Sequence, residues 1–324
     1  MSAKIPVANA DGPRKRITIL GAGVIGQVFA ARLADAGHDV SLIARGQTLE
    51  SLRKDGVRVR RSNESARRVL VDVVDFEQAQ DLTTEVLIVC VRREQLTAAM
   101  PQIRSLPFER VVLLQNAGGN TPATLKLGRP LIRAFPGIGG EQDASGAIHY
   151  IAIDAQPTTF AAEDDPETVM QLFRATGLAL TTTDDMPAWA ATHDIMMAAF
   201  GAAIVAHSGD AAALGRDQRA MRIATAAIRE GLRARLRQGL NIRPAALYWL
   251  FVRLPPFAAT KYWSKAMQGP TGTLAIAPHM RATADSELLA IIRGVLAELG
   301  DATAPTLRTL VGPVASRWPS TKET

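Results

Sequence analysis

The chain has 324 residues, a length that predicts two domains and is ample for a buried core. Apolar residues make up 47% and charged residues 21% of the sequence, which excludes a mainly disordered chain and a collagen-like repeat. The 37 Lys and Arg residues exceed the 31 Asp and Glu residues, and the formal charge of +6 is spread along the chain. So mild an excess suits an anionic small molecule as well as a nucleic acid.

The single cysteine, Cys90, excludes an intrachain disulfide and a Cys-based metal site, so a reducing cytoplasm is the expected compartment. Residues 1–14 lack the order of a signal peptide and are predicted to be a flexible tail, as are residues 317–324. In the helical half, the longest stretch free of charge and histidine is 195–206, which is shorter than the roughly 18 residues that span a bilayer. No membrane association is therefore expected.

Residues 15–184 alternate short β-branched runs with longer helical stretches, the pattern of a parallel sheet with crossover helices. Six runs are almost continuously apolar and are predicted to be buried strands. They are residues 17–20, 39–44, 69–74, 86–91, 111–114 and 131–135. Shorter extended pieces follow at 149–153 and 158–160, then a helix at 166–176 and a closing strand at 178–182. The pattern predicts a Rossmann-type doubly wound sheet.

Residues 185–316 lack strand patterns and are predicted to form an all-helical domain for substrate binding and dimerisation. The candidate helices are residues 187–207, 217–239, 244–253, 285–299 and 305–315. Three of them have Pro in the first turn, where its missing N–H is tolerated. The fold class is thus α/β, with a Rossmann domain followed by helices.

The first predicted strand runs into Gly21-Ala22-Gly23-Val24-Ile25-Gly26 and then an apolar helix, which is the context of a dinucleotide-binding loop. Gly21 suits the tight turn, Gly23 lets the backbone approach a pyrophosphate, and Gly26 permits close packing of helix on strand. The amides of Val24 and Ile25 lie at the helix N-terminus, which favours phosphates. The alternative is a Gly-rich turn needed only for packing.

The second strand ends without the acidic residue that binds the ribose 2′-hydroxyl of NADH, and Arg45 follows instead. A guanidinium pairs with a 2′-phosphate, so the sequence predicts NADPH as the cofactor. Alternatively, Arg45 is an exposed loop residue, or Arg53 or Lys54 shares the role.

Two further segments follow strands at the expected binding edge of the sheet: Val91-Arg92-Arg93-Glu94-Gln95 after the fourth and Leu114-Gln115-Asn116-Ala117-Gly118 after the fifth. With the glycine loop and Arg45, they give a chain that resembles the ketopantoate reductase (2-dehydropantoate 2-reductase) family from about residue 16 to about 310. The resemblance implies NADPH-dependent reduction of a 2-keto acid, with the cofactor between a Rossmann domain and a helical domain.

The resemblance implies that Asn116 contacts the nicotinamide ribose or the substrate carbonyl, and that Arg92 and Gln95 belong to the cofactor site. Ala117 replaces the glycine of the family's Q-N-G motif, and Arg92 stands where the family usually has Lys. The alternatives are an Asx-turn at Asn116 and a solvated cation at Arg92.

The chain departs from the family at the first helix of the second domain. There the family has a Trp, a proton-donating Lys two positions later and an Asn one turn on, whereas this chain has Trp189, Ala191 and Ile195. Reduction of a ketone develops negative charge on oxygen, so an acid or an oxyanion stabiliser is needed. His193 is the nearest candidate, with an ordinary pKa suited to proton transfer near neutrality. Alternatively, it is a buried histidine bonded to Asp194 or to a backbone carbonyl.

The family's substrate-orienting Glu on a late helix is matched most closely by Glu287, whose alternative role is a solvated first-turn acid. His279 and Arg281, just before that helix, are other candidate anchors for a substrate carboxylate.

Two residue clusters lie outside these motifs. Aromatic residues concentrate in 248–263 and are expected to form a core or a subunit contact, or else to line a larger apolar substrate pocket. Five arginines between 58 and 68 are expected to lie on a solvated hairpin, or else to help hold the 2′-phosphate.

The sequence as a whole predicts an NADPH-dependent reductase of a small keto acid that works as a homodimer. The alternatives are a related enzyme of another, more apolar keto acid or imine, and an NADPH-binding sensor without turnover. No nucleic-acid partner is expected, because no basic helix with base-reading side chains is evident. No metal is expected, because the five histidines lack ligand spacing.

Overall fold

A computed structural model describes residues 14–62, 64–115, 127–300 and 304–316. Nearly all of the predicted tail 1–14, the predicted tail 317–324 and Asn116 lie outside this part of the chain. The chain divides into two compact units at Asp184 and Asp185. We call them the N-terminal unit and the helical unit and describe each by itself.

Twelve strands occur in the described part of the N-terminal unit. They are β1 (Arg16–Leu20), β2 (Asp39–Ile43), β3 (Val57–Arg61), β4 (Arg67–Val69), β5 (Asp72–Val74), β6 (Val86–Val89), β7 (Arg110–Leu114), β8 (Leu131–Phe135), β9 (Ile138–Gln142), β10 (Ile148–Ala152), β11 (Thr158–Ala161) and β12 (Leu180–Thr183). The helices of this unit are α1 (Val24–Asp35), α2 (Gly46–Asp55), α3 (Phe76–Ala79), α4 (Arg93–Ser105) and α5 (Glu167–Arg174), with a 3₁₀ turn at Ala162–Asp164.

The larger sheet has the order β12-β11-β8-β7-β6-β1-β2-β5, in which the six strands from β8 to β5 are parallel. The order of those six strands reverses between β1 and β6, so the predicted doubly wound Rossmann-type sheet is confirmed. The strands form because their β-branched side chains are buried on both faces; in β6 all four residues are buried. Ligands in such sheets bind beyond the carboxyl ends of the strands at this reversal, next to Leu20 and Val89.

The prediction of one strand over 69–74 is wrong. β4 pairs antiparallel with β3 in a second sheet of order β4-β3-β10-β9, whereas β5 joins the larger sheet. Leu70 between them is 73% exposed, so the apolar run is broken in space although it is continuous in sequence. The predicted arginine hairpin is confirmed as β3–β4. Two of its arginines donate hydrogen bonds to groups within the N-terminal unit: Arg67 to the Asp35 carboxylate and Arg68 to the Asp55 carbonyl.

The helical unit contains α6 (Met186–Ala206), α7 (Ala211–Arg216), α8 (Gln218–Arg237), α9 (Ala245–Tyr248), α10 (Pro256–Gln268), α11 (Ala277–Thr283), α12 (Glu287–Leu299) and α13 (Pro305–Ala315), with π-helical segments at Trp249–Arg253 and Thr271–Ile276. The five predicted helices occur, but α7, α10 and α11 were missed. Pro255 and Pro256 read as a break in the sequence, yet Pro256 begins α10 at a position where its missing N–H costs little.

α6 is apolar on all sides because it is the central helix of this unit. Its length and composition would also allow it to cross a membrane. However, 94% of its apolar 18-residue stretch is buried inside the structure. Burial of this kind is typical of the core helix of a globular unit.

Candidate functional site

The loop from β1 to α1 needs glycine at two positions for reasons internal to the fold. Gly21 has φ +113°, and a Cβ there would lie 3.0 Å from the Cys90 carbonyl carbon. A Cβ on Gly26 would lie 1.9 Å from the Gly21 carbonyl oxygen. The loop after β1 therefore packs closely against the segment after β6 at Gly21, and α1 packs closely against this loop at Gly26. These contacts match two of the roles predicted for the glycines.

Gly23 differs, because a Cβ there would meet no atom within 4 Å. It is the exposed N-cap of α1 and provides no side-chain cap to the helix. No acidic residue occupies the first turn, so the amides of Val24, Ile25 and Gly26 begin the helix without a carboxylate beside them. Open space and a helix N-terminus fit the close approach of a pyrophosphate. These residues therefore fit a dinucleotide.

Replacing Gly26 with Ala is expected to destabilise the protein by about 2 kcal/mol or more, because the added methyl overlaps backbone. Replacing Gly23 with Ala is expected to cost at most about 1 kcal/mol but to weaken dinucleotide binding. Thermal unfolding followed by circular dichroism, together with a fluorescence titration of NADPH, checks both variants. Equal melting temperatures for the two would contradict the assignment.

Two buried glutamines that the sequence analysis did not assign hold the site loops in place: Gln27 of α1 bonds to the glycine loop, and Gln115 bonds to the segment after β6. Gln27 Nε2 donates to the Ala22 carbonyl at 2.8 Å, and Gln115 Nε2 donates to the Val91 carbonyl at 2.9 Å. The side-chain oxygens of both are buried and make no hydrogen bond within the described part of the chain. The detectable signal was position alone, since Gln27 directly follows the glycine loop and Gln115 lies within the segment after the fifth predicted strand.

Arg45 lies two residues beyond β2 as the N-cap of α2, and its side chain is exposed. Within the described ranges it forms no ion pair. Arg53 instead donates to the Val73 carbonyl at 3.0 Å and pairs with Asp75 at 3.7 Å. Of the two arginines considered for a 2′-phosphate, Arg45 is the one that forms no ion pair with another described residue.

Arg92 and Gln95 lie at the start of α4, and both are exposed. Gln95 Oε1 accepts a hydrogen bond from the Arg92 backbone N–H at 3.2 Å, which stabilises the first turn of the helix. In the structure Gln95 therefore stabilises the start of α4, and Arg92 is an exposed cation next to the binding edge of the sheet. Their predicted contact with a cofactor remains a prediction.

In the helical unit, α6 carries Trp189 and His193 one turn apart. Their rings stack with centroids 5.4 Å apart and planes 12° from parallel. Ala191 and Ile195, which replace the polar residues expected from the resemblance, are buried. His193 is thus the polar side chain on the face of α6 that the indole covers.

The other two candidate residues lie together on the neighbouring helices. His279 Nε2 of α11 is 3.5 Å from Glu287 Oε2 at the start of α12, and Glu287 is only 2% exposed. The alternative of a solvated first-turn acid is therefore wrong. Gly201 of α6 allows the close packing of these helices, since a Cβ there would lie 2.5 Å from Leu288 and 2.7 Å from Met280 Sδ. Arg281 instead donates to the Gly209 carbonyl.

The electrostatics of His193 correct one prediction. Burial, and to a smaller extent charge on His279, lower the pKa of His193 to about 3. The group is therefore neutral near pH 7, and the predicted proton donor with an ordinary pKa is wrong. A neutral imidazole still donates one N–H hydrogen bond to a developing oxyanion.

We expect the low pKa of His193 to make the protein acid-labile. The unfolded chain binds a proton near pH 6.5 and the folded one only near pH 3. Stability therefore falls as the pH drops through this window, by as much as about 4 kcal/mol. Urea unfolding between pH 7 and pH 4 should show a shallower decline for His193→Gln than for the wild type. His149→Gln, at a surface site on β10, is the control. Parallel curves for His193→Gln and the wild type would contradict the assignment.

The aromatic residues of 248–263 divide into two groups. Phe251 is buried and Trp263 packs on Phe200 with centroids 4.7 Å apart, which confirms the predicted core for these two. Trp249, Phe257 and Tyr262 are 56%, 70% and 47% exposed.

Among the residues with described positions, no group of three His, Cys, Asp or Glu side chains is arranged to hold a metal ion.

Comparison with known proteins agrees with this geometry. Residues 17–163 match the family model of ketopantoate reductase PanE/ApbA. The 2-dehydropantoate 2-reductase of Pyrococcus horikoshii is 24% identical over 235 residues, covering 70% of this chain and 75% of that protein. The enzyme of the same name from Mesorhizobium japonicum is 35% identical over 105 residues, 31% of each chain.

Solved structures show the same fold over most of the chain. The 2-dehydropantoate 2-reductase of Geobacter metallireducens has a TM-score of 0.72 at 18% identity, covering 93% of this chain and 99% of that one. D-mandelate dehydrogenase with NADH and anilino(oxo)acetate has a TM-score of 0.68 at 13% identity, with coverage of 93% and 99%. The family model matches the sequence over residues 17–163, and the solved structures share the fold over most of the chain.

Proposed function

We propose that this protein is an NADPH-dependent reductase that converts a 2-keto acid to a 2-hydroxy acid. The observation that carries the proposal is the combination of the open Gly23 loop at the α1 N-terminus with the unpaired cation of Arg45 after β2. The first feature fits a dinucleotide, and the second fits its 2′-phosphate rather than a free ribose hydroxyl.

In this proposal the helical unit supplies the polar groups for the carbonyl. A nicotinamide cofactor held by the glycine loop and Arg45 would supply hydride for the reduction of the carbonyl carbon. His193, neutral and stacked on Trp189, donates a hydrogen bond to the oxygen as it gains charge. His279 is 34% exposed and lies beside the Glu287 carboxylate, so it exchanges protons with water and delivers one to the oxygen. Glu287 holds the imidazole of His279 in place.

A larger and more apolar keto acid is the second candidate substrate. Ala191 and Ile195 are buried apolar residues where the family pattern has polar ones, on the side of α6 about 200° from His193. A structural neighbour, D-mandelate dehydrogenase, was solved with the aromatic 2-oxo acid anilino(oxo)acetate. Substitution of polar by apolar residues around a carbonyl site favours such substrates through burial of their side chains.

The experiment that tests the proposal is the oxidation of NADPH, followed by absorbance, with ketopantoate, small aliphatic 2-keto acids and aromatic 2-keto acids in parallel, and with NADH beside it. Turnover of any of them with NADPH supports the reductase, and the substrate ranking separates the two candidates. Tight NADPH binding with no oxidation across the panel would replace the proposal with a cofactor-binding sensor.

We also propose a cytoplasmic homodimer, and sedimentation of the purified protein tests its oligomeric state.

A further inference from the structure

A second polar feature of the helical unit is an open groove between α8 and α10, whose lining includes Phe251 of the π-helical segment 249–253. Its volume is about 1350 Å³, above the range of ordinary small-molecule pockets. His193, His279 and Glu287 do not line it. We call it the α8–α10 groove, and the function proposed above does not use it.

The α8–α10 groove is strongly cationic. Its lining includes four arginines of α8 and two lysines of α10: Arg222, Arg229, Arg233, Arg237, Lys261 and Lys265. Glu230 is the acidic residue among the described lining, and its carboxylate accepts from the Thr306 and Leu307 backbone N–H groups at 2.7 and 3.2 Å. It therefore caps α13, and its single negative charge offsets one of the six cations.

Most of these cations have no partner within the fold. Across the described ranges, Arg222, Arg233, Lys261 and Lys265 form no ion pair, and all four are exposed. Arg229 is tied to the Leu254 and Val252 carbonyls at 3.2 and 3.3 Å. Burial lowers the pKa of Arg229, and the neighbouring charge on Arg233 lowers it further.

The floor of the groove contains an unused hydrogen-bonding group. Ser264 is 5% exposed, lines the groove, and its Oγ makes no hydrogen bond to any described residue. The neighbouring hydroxyls of Thr225 and Thr260 satisfy each other at 2.9 Å, so they do not provide its partner. A buried hydroxyl without a partner costs free energy, and a ligand that reaches the floor would remove that cost.

The spacing of the charges indicates the size of the ligand. Arg222, Arg229, Arg233 and Arg237 share one face of α8 and span roughly 22 Å along the helix. A single carboxylate would engage only one or two of them. Phe257, which is 70% exposed, adds an aromatic surface at one wall. Several negative charges and a ring on one elongated molecule match this combination.

We propose that the α8–α10 groove binds a nucleotide-type ligand, with two or more phosphates on the cations and Ser264 and an aromatic base on Phe257. Charge complementarity favours this occupant over a second copy of the chain. The chain itself carries a formal charge of +6, so a basic groove repels its own net charge.

The test is calorimetric binding of metal-free ATP at low ionic strength, with lysine acylation mapped by mass spectrometry. We expect micromolar binding, protection of Lys261 and Lys265, and a loss of at least tenfold in affinity for the double variant Arg233→Glu/Lys261→Glu. Arg219→Glu, a single charge reversal on α8 outside the groove, is expected to change that affinity less than twofold. Because the glycine loop also accepts phosphates, only the binding lost in the double variant is assigned to the groove.

Three outcomes would overturn the proposal. Unchanged ATP affinity in the double variant, with unchanged labelling of Lys261 and Lys265, would remove the site. Equal affinity for inorganic tripolyphosphate and ATP would show that Phe257 binds no base and that the groove is a site for anions alone. A wild-type dimer that the double variant loses in sedimentation would make the groove a subunit interface. The Ser264→Ala variant, which keeps every charge, should weaken ATP binding severalfold, whereas an unchanged affinity would exclude the floor hydroxyl.

Discussion

Glu287→Gln is expected to lower kcat/KM of the proposed reductase by about 10²-fold, with the larger part of the loss in kcat. The substitution keeps the shape of a buried side chain but removes the charge that lies 3.5 Å from His279 Nε2. His279 then lacks the carboxylate that orients it. Steady-state kinetics with the best substrate of the keto acid panel measures the effect.

The control for this variant is Glu167→Gln, the same change at the first residue of α5, where the carboxylate is exposed and pairs with Arg174. It should leave kcat unchanged. Because Glu287 acts through His279, His279→Gln should cost a similar amount, and the double variant little more than either alone. Additive losses, or a fully active Glu287→Gln protein, would reduce Glu287 to a structural residue.

Arg45→Ala is expected to raise the Kd for NADPH by about 10- to 100-fold and to leave the Kd for NADH within twofold. A charged hydrogen-bonding pair of about 1.5–3 kcal/mol accounts for a change of that size. Only NADPH carries the 2′-phosphate that the guanidinium would bind. Fluorescence titration of both cofactors gives the two constants independently of turnover.

Arg45→Asp extends the same experiment, since a carboxylate at that place accepts from a ribose 2′-hydroxyl and repels a 2′-phosphate. It should reverse the preference. Arg104→Ala, an exposed arginine in the last turn of α4, serves as the matched control and should move neither constant. An unchanged ratio of the two constants in Arg45→Ala would show that another residue selects the cofactor.

Much of the N-terminal unit could be predicted because its information is local. Continuous apolar runs indicate buried parallel strands, and the G-x-G-x-x-G spacing after the first of them indicates the loop. The error at 69–74 arose because a sequence pattern reports burial but not the partner strand. Only the structure shows that β4 and β5 belong to different sheets.

The candidate residues of the helical unit show the opposite limit. Their residue types made His193, His279 and Glu287 separate candidates. His279 and Glu287 follow His193 by 86 and 94 positions, and a sequence does not show whether residues so far apart are close in space. The packing of α11 and α12 on α6, close at Gly201, brings them to neighbouring helices. That packing also buries Glu287 and removes from His193 the ordinary pKa that its residue type suggested.

The sequence by itself determined the Rossmann-type sheet, the glycine loop and the cation after β2, because each depends on residues that are adjacent along the chain. Tertiary structure alone decided the pKa of His193, the burial of Glu287, the clamps made by Gln27 and Gln115, and the gathering of six cations around the α8–α10 groove. Desolvation and charge proximity are properties of three-dimensional surroundings, and contributions from distant segments set them.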